Sequence, residues 1–159
     1  GISIYDEKDI QEIPLEKFDL IQLPLSIYDQ RFLRNRIIDK LHSLGKKIHL
    51  RSIFLQGIIL QEPKSWPKFF SNQFKNHHQK TYDMLKDKKL TILELALGFA
   101  FSCKKVEAVL VGITDNNELE RILEVLNSIK KNNKNYLDES LIFNWDKSSE
   151  IDPRYWPNV

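Results

Sequence analysis

The sequence predicts an α/β fold in which about four parallel strands alternate with crossover helices. Short apolar runs occur at Gly1–Tyr5, Leu20–Pro24, Lys47–Arg51 and Ala108–Gly112, and segments of helical periodicity separate the later runs. Strands that alternate with helices imply parallel pairing through crossovers. A closed barrel of eight such units usually takes about 250 residues, whereas this sequence has 159. The pattern therefore predicts half of a TIM-type (β/α)8 barrel.

Composition limits the class of protein. The length suits a single domain over residues 1–159, and 24 basic against 22 acidic residues give a formal net charge of +2. This balance does not favour nucleic acid or an acidic membrane surface as a partner. No apolar run approaches the roughly 20 residues that span a bilayer. Cys103 is the one cysteine, which favours a reducing, cytoplasmic setting.

The first half of the chain contains three predicted strands and two predicted helical segments. Asp6–Ile13 is expected to form a short helix or connector that ends before Pro14. Asp29 is the predicted N-cap of a helix that continues to Leu44. Gly45 follows at the position where a left-handed residue often ends a helix.

The second half begins with a long loop, Leu55–Pro67, of the kind that more often serves function than mere connection. A helix is predicted over Lys68–Lys86, and Thr91 begins a capping box for the helix Ile92–Phe101. That second helix is apolar nearly all round, which predicts burial. Val106–Ile113 is the fourth predicted strand.

The last long helix is predicted at Asn117–Lys130, and residues 135–159 form a tail expected to pack back on the body. The apolar face of the helix comprises Leu119, Ile122, Leu123, Leu126 and Ile129. The aromatic residues expected to anchor the tail are Trp145, Tyr155 and Trp156.

Ligands of parallel βα folds collect at the carboxyl ends of the strands. Gln22 interrupts an apolar strand, so its amide either finds backbone partners or recognises a flat ligand that carries an amide. Arg51 ends the next strand. A guanidinium there can stack on a flat ring or bind phosphate, and the alternative is an ordinary surface ion pair.

Two segments have the features of phosphate sites. Ser52 and Gly57 bracket the start of the long loop, where small residues let backbone N–H groups approach an anion. Gly112–Glu118 leads from a strand into a helix N-terminus, which favours a phosphate. An ordinary capped turn is the alternative for that segment. No Gly-rich dinucleotide fingerprint and no P-loop occurs.

The remaining reactive side chains predict no metal site and no nucleophile. His77 and His78 are adjacent, a poor arrangement for metal binding, and are expected to face solvent from a helix. Cys103 lies beside two lysines but has no nearby histidine in the sequence, so it is interpreted as structural. One further interpretation is an unrelated βα enzyme that uses Arg51 and His49 on a phosphorylated substrate.

The order and spacing of several segments resemble the C-terminal half of the aldo/keto reductases, NADP(H)-dependent oxidoreductases built on an eight-stranded β/α barrel. The segments are Gly1–Tyr5, Leu20–Pro24, Arg51–Gly57, Val109–Ile113, the helical run Leu93–Leu97 and the tail Ile151–Trp156. The resemblance covers essentially the whole chain.

The resemblance implies a set of nucleotide contacts. Ser3 and Gln22 would hold the nicotinamide carboxamide, and Arg51 would occupy the place where an aromatic ring often stacks on the nicotinamide. The residues implied along the pyrophosphate are Ser52, Phe54 and Gly57, and those near the adenosine phosphate and adenine are Gly112, Thr114 and Glu118.

Three departures from the family pattern qualify this picture. Ile4 stands where many members have asparagine. Neither Thr114 nor Asp115 supplies the basic residue that reads the 2′-phosphate of NADP, so NAD is possible as well. The family's catalytic Asp, Tyr, Lys and His come from its first four strands, and neither Tyr5 nor Tyr28 has a Lys or His at the matching spacing.

The resemblance therefore implies a truncated, oxidoreductase-like chain that contacts a nicotinamide nucleotide and has no catalytic residues of its own. The alternative is a non-enzymatic interaction module. In either case the free sheet edges of a half barrel predict self-association or pairing with a separate N-terminal half.

Overall fold

The computed structural model describes residues 1–132 and 136–157 and contains one four-stranded parallel sheet. Its strands are β1 (Ile2–Ser3), β2 (Leu20–Pro24), β3 (Lys47–Arg51) and β4 (Ala108–Val109). They pair in the order β1-β2-β3-β4, so each strand lies beside the next one in the sequence and β1 and β4 are the edges. The predicted α/β fold with a parallel sheet is confirmed, although β1 and β4 are shorter than the apolar runs that predicted them.

Eight α-helices are assigned within the described residues. They are α1 (Asp9–Glu12), α2 (Arg31–Arg34), α3 (Ile37–Ser43), α4 (Asn72–Asp87), α5 (Ile92–Phe101), α6 (Asn116–Asn132), α7 (Leu137–Ser140) and α8 (Ser148–Ile151). Short 3-10 turns occupy part of the predicted long loop, at Ile58–Leu60 and Pro63–Ser65.

The single helix predicted from Asp29 to Leu44 is wrong, because the chain forms α2 and α3 with a break between them. Arg36 has a φ of 58°, a left-handed conformation that interrupts helical hydrogen bonding. Asp29 is not the N-cap residue, since Gln30 directly precedes α2. The Asp29 carboxylate accepts two hydrogen bonds from the Arg31 side chain and a longer one, at 3.4 Å, from the Arg31 backbone N–H. Gly45 has a φ of 72°, as its position after α3 predicted.

The two faces of the sheet differ in exposure. Ile21, Leu23, Ile48 and Leu50 are buried, and α3 packs against β3 on this side. Of the residues that alternate with them, Leu20, Gln22, His49 and Arg51 are half-buried and Lys47 is exposed, whereas Pro24 is buried at the end where the tail crosses. Because side chains of a strand alternate between faces, the sheet has one covered face and one face open to solvent. We call the second one the open face.

Helix α5 forms the centre of the helical layer, as its apolar sequence predicted. Eight of its ten residues are buried, and the Thr91 hydroxyl accepts the Glu94 N–H at 3.1 Å to cap it. Helix α6 packs against α5 through Ile122 and Ile129.

The apolar face predicted for α6 is only partly buried. Leu119 and Leu123 are 38% and 49% exposed, whereas Ile122 and Ile129 are buried.

The tail packs on α4 and on the residues just before it through Trp145 and Trp156, as predicted for these two side chains. The Trp145 ring stacks on Phe74 at 4.8 Å between centroids, and Trp156 meets Phe70 at 5.1 Å. Tyr155 is 60% exposed and anchors nothing. Residues 133–135 and 158–159, at the two limits of the predicted tail, lie outside the described residues.

The prediction that both adjacent histidines face solvent is wrong. His77 is half-buried and His78 is fully buried, because Trp66 stacks on the His78 ring at 4.4 Å between centroids. Among the residues that the structure describes, no helix has the length and apolar content to cross a bilayer. The described residues also contain no cluster of three or more potential metal ligands.

Candidate functional site at the carboxyl ends of the strands

Three polar side chains from three strands meet on the open face. Ser3 of β1 lies in register with Gln22 of β2, and its hydroxyl donates to Gln22 Oε1 at 3.4 Å. Arg51 of β3 donates from Nε to Ser3 Oγ at 3.2 Å. The parallel register therefore brings together three of the residues that the sequence singled out, Ser3, Gln22 and Arg51.

Gln22 has an unused hydrogen-bonding group at this position. Its Oε1 accepts the long bond from Ser3, while its Nε2 donates to no acceptor among the described residues. The alternative in which neighbouring backbone satisfies this amide is therefore not what the structure shows. A half-buried amide with free N–H groups suits a ligand that presents a carbonyl oxygen.

Arg51 is held by neutral acceptors and by an aromatic ring. Its Nη1 donates to Ser52 Oγ and its Nη2 to the Ile4 carbonyl, at 3.2 and 3.1 Å. Its guanidinium carbon lies 4.0 Å from the centre of the Tyr5 ring. Arg51 has no carboxylate partner within the described residues, so the surface ion pair considered above is not formed. Burial lowers the pKa of this guanidinium.

The tail reaches this region through Asp152 and Arg154. The Asp152 carboxylate is 3% exposed and accepts from Arg154 Nη2 at 2.6 Å, and Arg31 Nη2 lies 3.9 Å from it. Burial raises the pKa of Asp152, but hydrogen bonds and charge from Arg154 outweigh burial and hold the pKa below its usual value. The Arg154 guanidinium carbon lies 4.4 Å from the centre of the same Tyr5 ring.

These contacts enclose a narrow pocket that is partly open to solvent and has room for little more than a water molecule. It lies where the first three strands end and the tail crosses them. Its lining comprises Tyr5, Pro24, Leu25, Ser26, Asp29, Arg31, Arg51, Ser52, Leu55, Ile151, Asp152 and Pro153. Pockets for whole small molecules usually measure about 300–1,000 Å³, so this pocket is too small to enclose such a ligand, and a ligand that contacts these residues must lie on the open face beside it.

The loop after β3 has an unusual backbone. Ser52, Leu55 and Gln56 have φ values of 61°, 47° and 56°, and Gly57 has a φ of 81°. Non-glycine residues adopt this left-handed region at a cost of about 1–3 kcal/mol each, and they cluster at functional sites. The backbone N–H groups of Phe54, Gln56 and Gly57 meet no acceptor among the described residues. The Phe54 side chain is 9% exposed.

The segment after β4 is organised differently. Gly112, Thr114 and Glu118 are all exposed. The Glu118 carboxylate accepts from the N–H and hydroxyl of Thr114, at 2.7 and 3.0 Å. The Asp115 carboxylate accepts the Glu118 N–H at 2.9 Å. Two acidic side chains therefore occupy donors at the start of α6 that a phosphate would use, as the capped-turn alternative predicted.

The predicted site residues form two groups. Ser3, Gln22, Arg51 and Ser52 share hydrogen bonds near the pocket, whereas no hydrogen bond or ion pair of the described residues joins them to Thr114. With strands about 4.8 Å apart, β1 and β4 lie about 14 Å from each other across the sheet. An extended ligand is needed to touch both groups.

Sequence reasoning missed three residues of the site. Tyr5 contacts both arginines, and Asp152 and Arg154 come from a tail that was expected only to pack through aromatic rings. The run Asp152-Pro153-Arg154 is plain in the sequence, but no spacing in the sequence shows that this part of the tail crosses the strand ends.

Tyr28 has a histidine partner that its spacing in the sequence did not indicate. Its hydroxyl hydrogen-bonds His78 Nδ1, and His78 Nε2 lies 2.9 Å from the Gln61 carbonyl. Both rings are fully buried, and burial raises the pKa of Tyr28 far above its usual value. A proton donor for a bound substrate must reach that substrate, so we interpret this pair as structural. Cys103 is structural too, because burial raises its pKa to about 12.

No protein-family model matches this chain, and a search of curated proteins returns no relative. The interpretation of the site therefore depends on its geometry and on the resemblance described above.

Proposed function

We propose that this chain is the nucleotide-contacting half of an aldo/keto reductase-like barrel, and that it contacts the nicotinamide end of a dinucleotide at the carboxyl ends of β1, β2 and β3. The chain holds the nucleotide and supplies no catalytic acid of its own. Reduction of a carbonyl would need residues from further strands.

The observation that carries the proposal is the meeting of Ser3, Gln22 and Arg51 on the open face. The nicotinamide carboxamide has one carbonyl oxygen and one NH2 group. The free Nε2 of Gln22 donates to the first, and Ser3 Oγ accepts from the second. The Arg51 guanidinium already lies over one ring, with its carbon 4.0 Å from the centre of the Tyr5 ring, and a planar guanidinium also stacks on the flat ring of a ligand.

The loop after β3 supports the pyrophosphate part of the proposal. Backbone N–H groups left unpaired in a turn form a concave donor surface that suits an anion. Phe54, Gln56 and Gly57 supply such groups among the described residues. The backbone strain at Ser52, Leu55 and Gln56 is maintained although none of them is glycine.

The segment after β4 favours NAD(H) over NADP(H). The residues Asp115 and Glu118 bring two carboxylates to the place where the resemblance puts the 2′-phosphate. A phosphate there would have to displace Glu118 from Thr114 and would be repelled by both acids. NADP, which the resemblance implies, fits this segment less well than NAD.

The test is an amide NMR titration of the chain with NADH up to millimolar concentrations. The proposal predicts fast-exchange shifts at Ser3, Gln22, Arg51, Ser52 and Gly57. A Gln22→Leu variant should bind at least about tenfold more weakly, since it loses a hydrogen bond and leaves a ligand carbonyl unpaired. The matched control is Gln73→Leu, which makes the same change at an exposed position of α4. Absence of any shift at these residues would refute the proposal.

The second candidate is an interaction module that uses the scaffold without a nucleotide. Leu110 and Ile113, which follow the edge strand β4, are 42% exposed each, and Leu123 of α6 is 49% exposed. Exposed apolar side chains next to a sheet edge favour this candidate, because they suit packing against a further βα unit. A chain that associates with a partner but shows no response to NADH supports this candidate over the first.

A further inference from the structure

The open face carries one continuous row of residues across the whole sheet. Ser3, Gln22, His49 and Ala108 are in register from β1 to β4. None of the four is buried, although the residues on either side of Gln22 and His49 in β2 and β3 are. A sheet in a parallel α/β protein normally has both faces covered. The open face therefore lacks its covering layer in the chain as described.

The strand residues of this face include no acid. Strand β3 places two cations, Lys47 and Arg51, and the imidazole of His49 on it, and β1, β2 and β4 contribute no carboxylate. Lys47 pairs with Glu107 at the amino-terminal rim, 3.3 Å away. Arg51 has only neutral acceptors, and His49 makes no hydrogen bond or ion pair with the described residues.

A second copy of the chain is a poor covering layer. Closing one half on another would place two copies of Arg51 in one enclosed interior, and the strand residues of neither open face supply a carboxylate. The two carboxylates that line the pocket with Arg51, those of Asp29 and Asp152, already accept hydrogen bonds from Arg31 and Arg154. Removing charges from water without partners costs several kcal/mol per ion. Burial of Arg51 and His49 becomes favourable when the opposing strands bring carboxylates that pair with them.

We propose that the open face is the docking surface of a complementary βα half whose inward side chains carry carboxylates, and that a second identical copy does not occupy it. The inference rests on the half-barrel interpretation above and adds the chemistry of the partner. His49 and Arg51 are the residues that select it, and the exposed edges β1 and β4 supply the backbone groups for strand pairing.

A charge-reversed copy of the chain provides a defined probe. The double variant His49→Glu/Arg51→Glu presents two carboxylates on the same scaffold. Mixed with the unaltered chain in sedimentation velocity, it should form a complex of twice the 18.8 kDa of one chain, while each protein alone sediments as a monomer. The mixed complex should be at least about tenfold tighter than either self-complex.

Two matched variants make the test specific. His49→Gln/Arg51→Gln removes the charges without reversing them and should lose the tight complex. Lys40→Glu/His42→Glu makes an equivalent charge change on exposed residues of α3, away from the open face, and should form none. Circular dichroism establishes that each variant is folded. If the double reversal does not fold, His49→Glu alone replaces it, since His49 has no hydrogen bonds to lose.

Three outcomes would overturn the inference. They are dimerisation of the unaltered chain as tight as the mixed complex, equal binding by the α3 variant, and no complex with a folded reversal variant. The readout is mass, so the result is independent of nucleotide binding. A chain that forms the mixed complex and ignores NADH contradicts the proposed function alone.

Discussion

Acidification should destabilise this protein through His78, because the buried ring resists protonation in the folded state. The ring is fully buried, and burial is the main cause that lowers its pKa from 6.5 to about 4. Gln61 offers a carbonyl, which can only accept, so Nε2 carries the proton and Nδ1 accepts from Tyr28. A second proton on the ring would have to displace that hydrogen bond.

The direction in which the free energy of unfolding changes with pH follows from proton binding. Between pH 6.5 and pH 4 the unfolded chain binds a proton at His78 and the folded chain does not. The contribution of His78 to the free energy of unfolding therefore falls as pH decreases through this window and changes no further below it. A difference of about 2.5 pH units, at about 1.36 kcal/mol per unit, corresponds to about 3 kcal/mol.

Urea unfolding at a series of pH values from 7 to 4 measures this directly. His78→Gln cannot titrate, so it should be less stable than the unaltered chain at pH 7 and should lose about 3 kcal/mol less on acidification. Carboxylates with lowered pKa, such as Asp152 and Glu150, titrate in both proteins and cancel in the comparison. His42→Gln, at an exposed histidine, is the control and should keep the original profile. Parallel profiles for the original chain and His78→Gln would refute the reasoning.

Three further predictions concern the tail and the site. Gly98→Ala should destabilise the fold by about 1–3 kcal/mol in urea unfolding, because its Cβ would lie 2.5 Å from the Tyr136 ring, whereas Gly112→Ala meets nothing within 4 Å and should be nearly neutral. Tyr5→Leu should cost about 1–2 kcal/mol, since it removes two cation–π contacts of about 0.5–1 kcal/mol each, whereas Tyr5→Phe keeps both; equal losses in the two variants would contradict this assignment. Glu118→Lys should tighten NADPH binding relative to NADH by about tenfold in fluorescence titration, and an unchanged ratio would remove the adenosine segment from the proposal.

The fold class could be predicted from the sequence because parallel βα units have local sequence patterns. The strands β2 and β3 follow the predicted runs closely, since their buried residues Ile21, Leu23, Ile48 and Leu50 form an apolar pattern. The break between α2 and α3 could not be predicted from the sequence. It depends on the left-handed conformation of Arg36, for which arginine has no intrinsic preference.

Only half of the candidate site could be predicted from the sequence, because the other half is assembled by tertiary packing. Ser3, Gln22 and Arg51 follow from strand ends, because carboxyl ends of parallel strands share one edge. Asp152 and Arg154 reach the same edge through tertiary packing of the tail, which no local spacing encodes. Likewise, His78 looked exposed as one of two adjacent polar residues, and only the packing of Trp66 over its ring explains its burial.

The most direct test of the central claim is an intermolecular NOE measurement between the nicotinamide ring protons of NADH and the chain. The account predicts NOEs from these protons to the Gln22 side-chain amide and to the Ser3 β-protons. NADH bound with its nicotinamide ring near other residues, or no bound nucleotide at millimolar concentration, would contradict it.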